Sequence, residues 1–307
     1  MSLPRCLVPG ATYLLTRRCV QRRFGLVPRG PTPQVMAYCI AHAAAKHGIQ
    51  VHAVMCLSNH YHAVLTDPHG HISEFARDVH SLTARALNAS GGRWEAFWSS
   101  QGLSLVRLVT TEDLWHKLVY THTNPVAAGL VSHSSQWPGF RTKPVDHARL
   151  PLHAKRPRTP FFRRGRLPRE VTLALSVPPQ LGHLNAEAFA QQLKERVEHR
   201  EVEIRAQFAR SGRTFMGPRA VMRQRRDARP RTVERRRTRD PAVACRDTTH
   251  RLAALAALRT FRNQYADARA RWLLGEKQVL FPCGTSKMRG YPNVVCERPP
   301  PRQPLAA

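Results

Sequence analysis

The chain is 307 residues long, with 49 Lys+Arg against 20 Asp+Glu and a formal net charge of +29. That length holds one or two domains with real cores, and the charge points to a polyanionic partner, nucleic acid before acidic membrane; the blander reading is a basic tail on an unrelated domain. No apolar run approaches the roughly 18–20 residues that span a bilayer, and no export signal is evident at the start. Seven scattered cysteines form no C-x-x-C pair. Membrane-spanning and disulfide-scaffold classes are therefore excluded, and a soluble cytoplasmic, nucleoid-associated protein is expected.

Residues 10–24 alternate and are rich in Thr, Tyr and Val, which predicts a first strand. A Thr-Pro start, apolar residues at helical spacing and Gly48 at the end predict a helix over 32–49. Two short strand patterns, 50–58 and 60–67, follow as a hairpin turning at Ser58-Asn59. Ile72, Phe75, Val79, Leu82 and Leu87 share a face of a helix over 71–90. Residues 97–110 carry a fourth strand region, and 111–124 a helix that Pro125 is expected to stop. The order β-α-β-β-α-β-α predicts an α+β fold: a ferredoxin-like split βαβ with a four-stranded antiparallel sheet, helices on one face and one added helix. Trp94, Trp98 and Trp115 are expected in the core rather than stacked on bases.

From about residue 150 the texture changes. The first 150 residues hold 15 Lys+Arg against 7 Asp+Glu, the rest 34 against 13. We expect a compact domain over 1–148, a basic Pro/Arg-rich linker over 149–183 and a basic helical extension over 184–307, with long helices at 184–212 and 249–275. The segments "KRPRTPFFRRGR" (155–166) and "RRDARPRTVERRR" (225–237) are the strongest candidates for phosphate contacts, which supply affinity without sequence information.

The stretch "CLSNHYHAVLTD" (56–67) spends two strand positions on imidazole. Side chains alternate across a strand with period two, so His60 and His62 share a face. Such a pair is either incidental or half of a metal site. Further groups come from the last helix: in "KLVYTHTNPVAAGLV" (117–131), Tyr120 and Asn124 are four apart and share a face. Two imidazoles and an amide oxygen, with positions left for water and phosphate, suit Mg²⁺ or Mn²⁺. By itself a tyrosine on an amphipathic helix is ordinary packing. Asn59 is expected to shape the tight turn. His52, His71, His116 and His122 have no spacing that demands a ligand role.

These residues carry a resemblance. "NHYH" (59–62) before an apolar strand resembles the HUH motif of single-tyrosine transposases, and "YTHTNPVAAGLV" (120–131) is similar to the Y-x-x-x-N-P-V-x-A-G-L-V stretch of the REP-associated tyrosine transposases. "SQWPGFRT" (135–142) resembles the tryptophan-containing segment downstream, and the likeness spans residues 8–142. It implies that residues 1–148 are a catalytic domain in which His60, His62 and Asn124 hold Mg²⁺ or Mn²⁺ while Tyr120 attacks a DNA phosphate. The product it implies is a 5′-phosphotyrosine link that leads to strand transfer. Single-stranded or hairpin DNA is the implied partner, with monomer and homodimer both open. The chain departs from the family at Leu57-Ser58, where Met-Pro is common, and in lacking basic residues often found in the segment "WEAFWSSQGLSLVRL" (94–108). Neither change removes a catalytic group. The alternatives are a non-catalytic nucleic-acid-binding protein that keeps the fold, a structural zinc site, for which no cysteine is suitably placed, and a replication or transfer nuclease, whose families normally lack the Asn-Pro-Val stretch.

Overall fold

The computed structural model describes residues 4–163, 166–232 and 241–298. In chain order these form β1 (Ala11–Arg18), α1 (Thr32–His47), β2 (Gln50–Cys56), β3 (His60–Asp67), α2 (Ile72–Ser90), β4 (Ser104–Leu108) and α3 (Thr111–Ala127). Beyond these come β5 (Leu152–Lys155), α4 (Pro160–Arg163), β6 (Glu170–Leu173), α5 (Ala186–Arg210), α6 (Pro218–Arg223), β7 (Val243–Ala244), α7 (Thr248–Leu273), β8 (Val279–Phe281) and β9 (Val294–Cys296).

Local chemistry sets the element ends. Gly48 closes α1 in the left-handed conformation, at φ 65°. The Asp67 carboxylate at the end of β3 accepts the backbone N–H groups of His71 and Ile72 at 2.8 and 2.9 Å, so it starts α2 as it ends the strand. Thr110 and Asp113 cap α3 reciprocally. Pro125 does not stop that helix, which runs on to Ala127. Proline in the last turn forfeits a single ladder bond, and the turn closes behind it through Ala128 N–H to Asn124 O at 2.9 Å and Leu130 N–H to Pro125 O at 3.0 Å.

The strands form a sheet in the order β2-β3-β1-β4-β7. β1 pairs antiparallel with β3 and β4, and β2 with β3; the two-residue β7 adds a fifth strand, parallel to β4. The "SQWPGFRT" segment closes the outer edge of β2: Cys56 N–H donates to Phe140 O and Trp137 Nε1 to Cys56 O, at 3.0 and 2.8 Å. An edge so paired is no longer a template for another strand.

Helices cover both faces of the sheet, not the one face expected. Tyr13 and Leu15 of β1 and Tyr61, Ala63 and Leu65 of β3 pack under α1 and α2. Leu14, Val64, Val106 and Leu108, which point the other way, pack against Leu114 and Leu118 of α3 and Phe189, Leu193 and Val197 of α5. Both faces of the central strands are apolar, so both must be covered. A bulge between Val51 and Ala53 keeps Val51 in the same core as Val54 and Cys56.

Residues 149–183, expected as a linker, carry β5, α4 and β6, whose Ala154, Phe162 and Leu173 are buried in the core under α1. The long helix expected over 184–212 is α5, and that expected over 249–275 is α7. α7 builds a small separate cluster with β8, around Phe261, Tyr265, Val279 and Phe281. Of the two basic segments singled out, residues 164–165 and 233–237 lie outside the described residues. Trp98 is buried and Trp115 stacks on Phe189, but Trp94 is 90% exposed. Among the described residues no helix is long and apolar enough to cross a membrane.

Phe189 is fully buried and holds α5 to the sheet through Trp115 and His147, with ring centroids 5.3 and 4.7 Å away. Phe189→Ala is expected to cost about 3–5 kcal/mol in urea unfolding. Hydrogen exchange at β1 and β4 should speed up with it, because α5 shares their core.

Candidate active site

The register of β1 with β3 places Thr16 opposite His62 and Arg18 opposite His60. Both histidines lie on the face that α3 covers, and their ring centroids are 4.8 Å apart. Tyr120 reaches them from α3: its Oη is 3.4 Å from His62 Nε2, and the two rings meet edge to face at 5.2 Å. The histidine pair and Tyr120, read from two separate parts of the sequence, thus come together. His62 is 5% exposed, whereas Tyr120 is 37% exposed and open to a ligand from solvent. Asn124 sits one turn beyond Tyr120 and is buried at 8% exposure, but no side-chain hydrogen bond ties it to the histidines.

Each imidazole is oriented by a partner to which sequence reading gave no such role. Asn59 Nδ2 donates to Arg22 O at 3.3 Å, which turns its Oδ1 toward His60 Nδ1 at 2.6 Å. An amide oxygen only accepts, so His60 carries its proton on Nδ1 and its Nε2 keeps a lone pair. Thr16 Oγ1 lies 2.7 Å from His62 Nδ1 and holds the second ring in place, as a hydroxyl that can donate or accept. Thr16 was legible only through strand register, which no local pattern supplies. Asn59, expected to shape the turn, also fixes the tautomer beside it.

The backbone carrying this arrangement is strained. Gln21 and Arg22 adopt left-handed φ values of 50° and 58°, uncommon for residues with side chains. That excursion presents the Arg22 carbonyl to Asn59. Such strain costs of the order of 1–3 kcal/mol per residue and persists where surrounding structure imposes it.

Electrostatics keeps the pair neutral. Burial pushes the His60 imidazole down to about 4, helped by the charges of Arg18 and Arg22. Burial also holds His62 well below the usual histidine range, with His60 and Lys117 adding to the effect. Neutral rings with one nitrogen committed to a hydrogen bond are the form that ligates metal. The donor chemistry therefore fits a divalent ion, although no group of three His, Cys, Asp or Glu side chains able to hold one occurs among the described residues. Lys117 Nζ lies 5.4 Å from the centroid of the Tyr120 ring, a cation–π distance.

No family model matches the sequence, and no curated protein matches it. Among solved structures, the chain is similar to a REP-associated tyrosine transposase bound to a REP hairpin. The identity is 24%, the TM-score 0.42, and the match covers 48% of this chain and 86% of the other. It is also similar to a candidate transposase from Deinococcus radiodurans R1, at 14% identity and a TM-score of 0.28, over 38% of this chain and 92% of the other.

The buried histidines make stability depend on pH. Burial lowers His52, His60 and His147 to about 4, and His80 and His122 to about 3, against about 6.5 in an unfolded chain. The unfolded state therefore binds more protons below pH 6.5, so stability is full above that value and is lost as pH falls toward 4. Thermal melts in a pH series are expected to show a plateau above pH 6.5 and a steep fall between 6.5 and 4.

Proposed function

We propose that the protein is a single-tyrosine DNA strand transferase, with Tyr120 as nucleophile and His60 and His62 as ligands of a divalent cation, Mg²⁺ or Mn²⁺. The observation that carries this reading is the convergence of Tyr120 Oη on His62 Nε2 beside a second neutral imidazole. The order β2-β3-β1-β4 also fits a ferredoxin-like split βαβ. The sequence motifs that resemble the REP-associated tyrosine transposases fall on these same residues.

On this reading Tyr120 loses its hydroxyl proton to solvent, bonds to the phosphorus of a DNA phosphodiester and expels the 3′ oxygen, which takes a proton from solvent. The strand is left joined through its 5′ phosphate to the protein, with a 3′ hydroxyl released. One phosphodiester has been exchanged for another, so the link can be passed on to a new 3′ hydroxyl without an energy source. The cation supplies Lewis-acid polarisation of the phosphate and neutralises charge that builds on its oxygens. His60 and His62 would hold it, Asn124 would offer its amide oxygen from the same helix face as Tyr120, and Thr16 and Asn59 keep the rings in place. A single nucleophile cuts one strand, which suits single-stranded or hairpin DNA.

The experiment is incubation of labelled hairpin DNA with the full chain and Mg²⁺ or Mn²⁺, followed by denaturing electrophoresis. A covalent protein–DNA band is expected from the wild type and none from Tyr120→Phe. Binding without any band across varied hairpins, metals and pH values would sink the enzyme in favour of a non-catalytic binding protein. Thr16→Val, which removes the hydroxyl beside His62 Nδ1, is expected to lower adduct formation about 10–100-fold at limiting metal, with recovery as metal is raised.

A further inference from the structure

A cavity of about 350 Å³ is lined by Arg29, Arg93, Arg225 and Arg226, together with Phe97 and Asn88. Its one carboxylate is already engaged: Asp227 takes Arg225 Nε and Nη2 at 3.1 and 2.7 Å. Arg93 reaches the exposed Glu95 only at 4.0 Å. Arg29 and Arg226 form no ion pair among the described residues, and Arg226 makes a neutral contact, Nη2 to Thr32 Oγ1 at 3.2 Å. Burial lowers the Arg226 pKa, and Arg29 and Arg93 add to the shift by repulsion. Like charges gathered without a counter-charge oppose folding unless an anion enters between them. Guanidinium forks match phosphate oxygens in pairs.

Two of the segments that line the cavity are tied to the β2–β3 turn beside His60. The loop between β1 and α1 is tied to the β2–β3 turn by Cys19 N–H to Asn59 O and Leu26 N–H to Ser58 O, both 2.8 Å. The segment that bears Arg225 and Arg226 is pinned across the same place. Ser58 Oγ donates to Gln224 Oε1 at 2.8 Å, Phe24 N–H to Ala228 O at 2.9 Å, and Arg22 Nη1 to Thr232 O at 2.7 Å. A positively charged recess therefore lies beside the turn that carries His60.

We infer that this cavity binds a backbone phosphate of the nucleic-acid strand engaged at Tyr120, with Arg29, Arg93 and Arg226 as its ligands. The assignment to that strand rests on the reading of Tyr120 and the histidine pair given above. Inorganic phosphate and mononucleotides share the chemistry, and the test separates them.

The measurement is fluorescence anisotropy of a labelled single-stranded oligonucleotide with the full chain, over a salt series. Arg29→Gln and Arg226→Gln are each expected to weaken binding about 5–10-fold and to lower the salt slope by about 0.7, the value for one lost phosphate contact on a single strand. Arg77→Gln, on the outer surface of α2, should change neither. Arg29 is exposed, so its variant keeps the fold even if the loss of the Thr32 contact disturbs Arg226→Gln. Slopes unchanged in both variants overturn the inference. Unchanged slopes together with thermal stabilisation of the wild type, but not of the double variant, by inorganic phosphate or AMP would reassign the cavity to a free phosphate ligand and overturn the strand assignment. The covalent adduct is scored separately. Reduced slopes without an adduct keep the phosphate site and refute the catalytic reading; an adduct with unchanged slopes does the reverse.

Discussion

β1 and β3 are the central pair of the sheet, and their register positions everything that follows. Thr16 opposes His62 and Arg18 opposes His60 because Tyr13 opposes Leu65 and Leu15 opposes Ala63. The apolar half of this ladder is buried under α1 and α2, where Tyr61 and Leu65 have no exposed surface. A slip of one residue turns both imidazoles into that core and sends Tyr61 to the other face. The large apolar side chains therefore prevent the slip, and the histidine geometry is a consequence of core packing on the opposite side of the sheet.

From that ladder a chain of dependence runs outward. Arg22, held in a left-handed backbone conformation, offers its carbonyl to Asn59; Asn59 is thereby turned, and it sets the proton on His60. Desolvation then keeps the ring neutral, since charging it beside Arg18 and Arg22 is costly. α3 supplies Tyr120 at the height of His62, and its start is fixed by the Thr110–Asp113 box. Asp113 also accepts the Arg246 backbone N–H through Oδ1 at 3.0 Å, so the same carboxylate ties the basic second half of the chain to the helix that carries the tyrosine.

Much of this was legible in the sequence where a pattern is local. The period-two run over 60–67 predicts β3 to the residue, and the i, i+4 spacing puts Tyr120 on a helix that packs over the histidine face. What failed was non-local. Pro125 reads as a helix stop, yet only one bond was at stake in a last turn that closes by other means. One covered face was expected, but Leu14, Val64 and Val106 show that the sheet is apolar on both sides; their partner, α5, lies more than a hundred residues downstream of β3. Thr16 carries no signal in its own neighbourhood, because it matters only through pairing with a strand 46 residues away. Trp94 reads as core by size and is exposed, for which packing gives no reason.

The net charge of +29 takes on a particular meaning once the carboxylates are located. Asp67 caps α2, Asp113 accepts the Thr110 and Arg246 backbone N–H groups at the start of α3, Asp146 accepts the Lys143 backbone N–H, and Asp247 caps α7. These groups serve backbone N–H donors, so they leave arginines such as Arg29 and Arg226 without counter-charges. On the proposed reading, that positive charge accompanies a site whose two imidazoles are held neutral by burial. Attraction of a polyanion then depends on the arginines and weakens with salt, whereas the short-range contacts among His60, His62 and Tyr120 are buried or half-buried and respond little to ionic strength. On that reading, affinity and chemistry are carried by different side chains. A change in the basic cavity therefore alters how firmly a strand is held while the geometry at Tyr120, set by the β1–β3 ladder and the cap of α3, stays as it is.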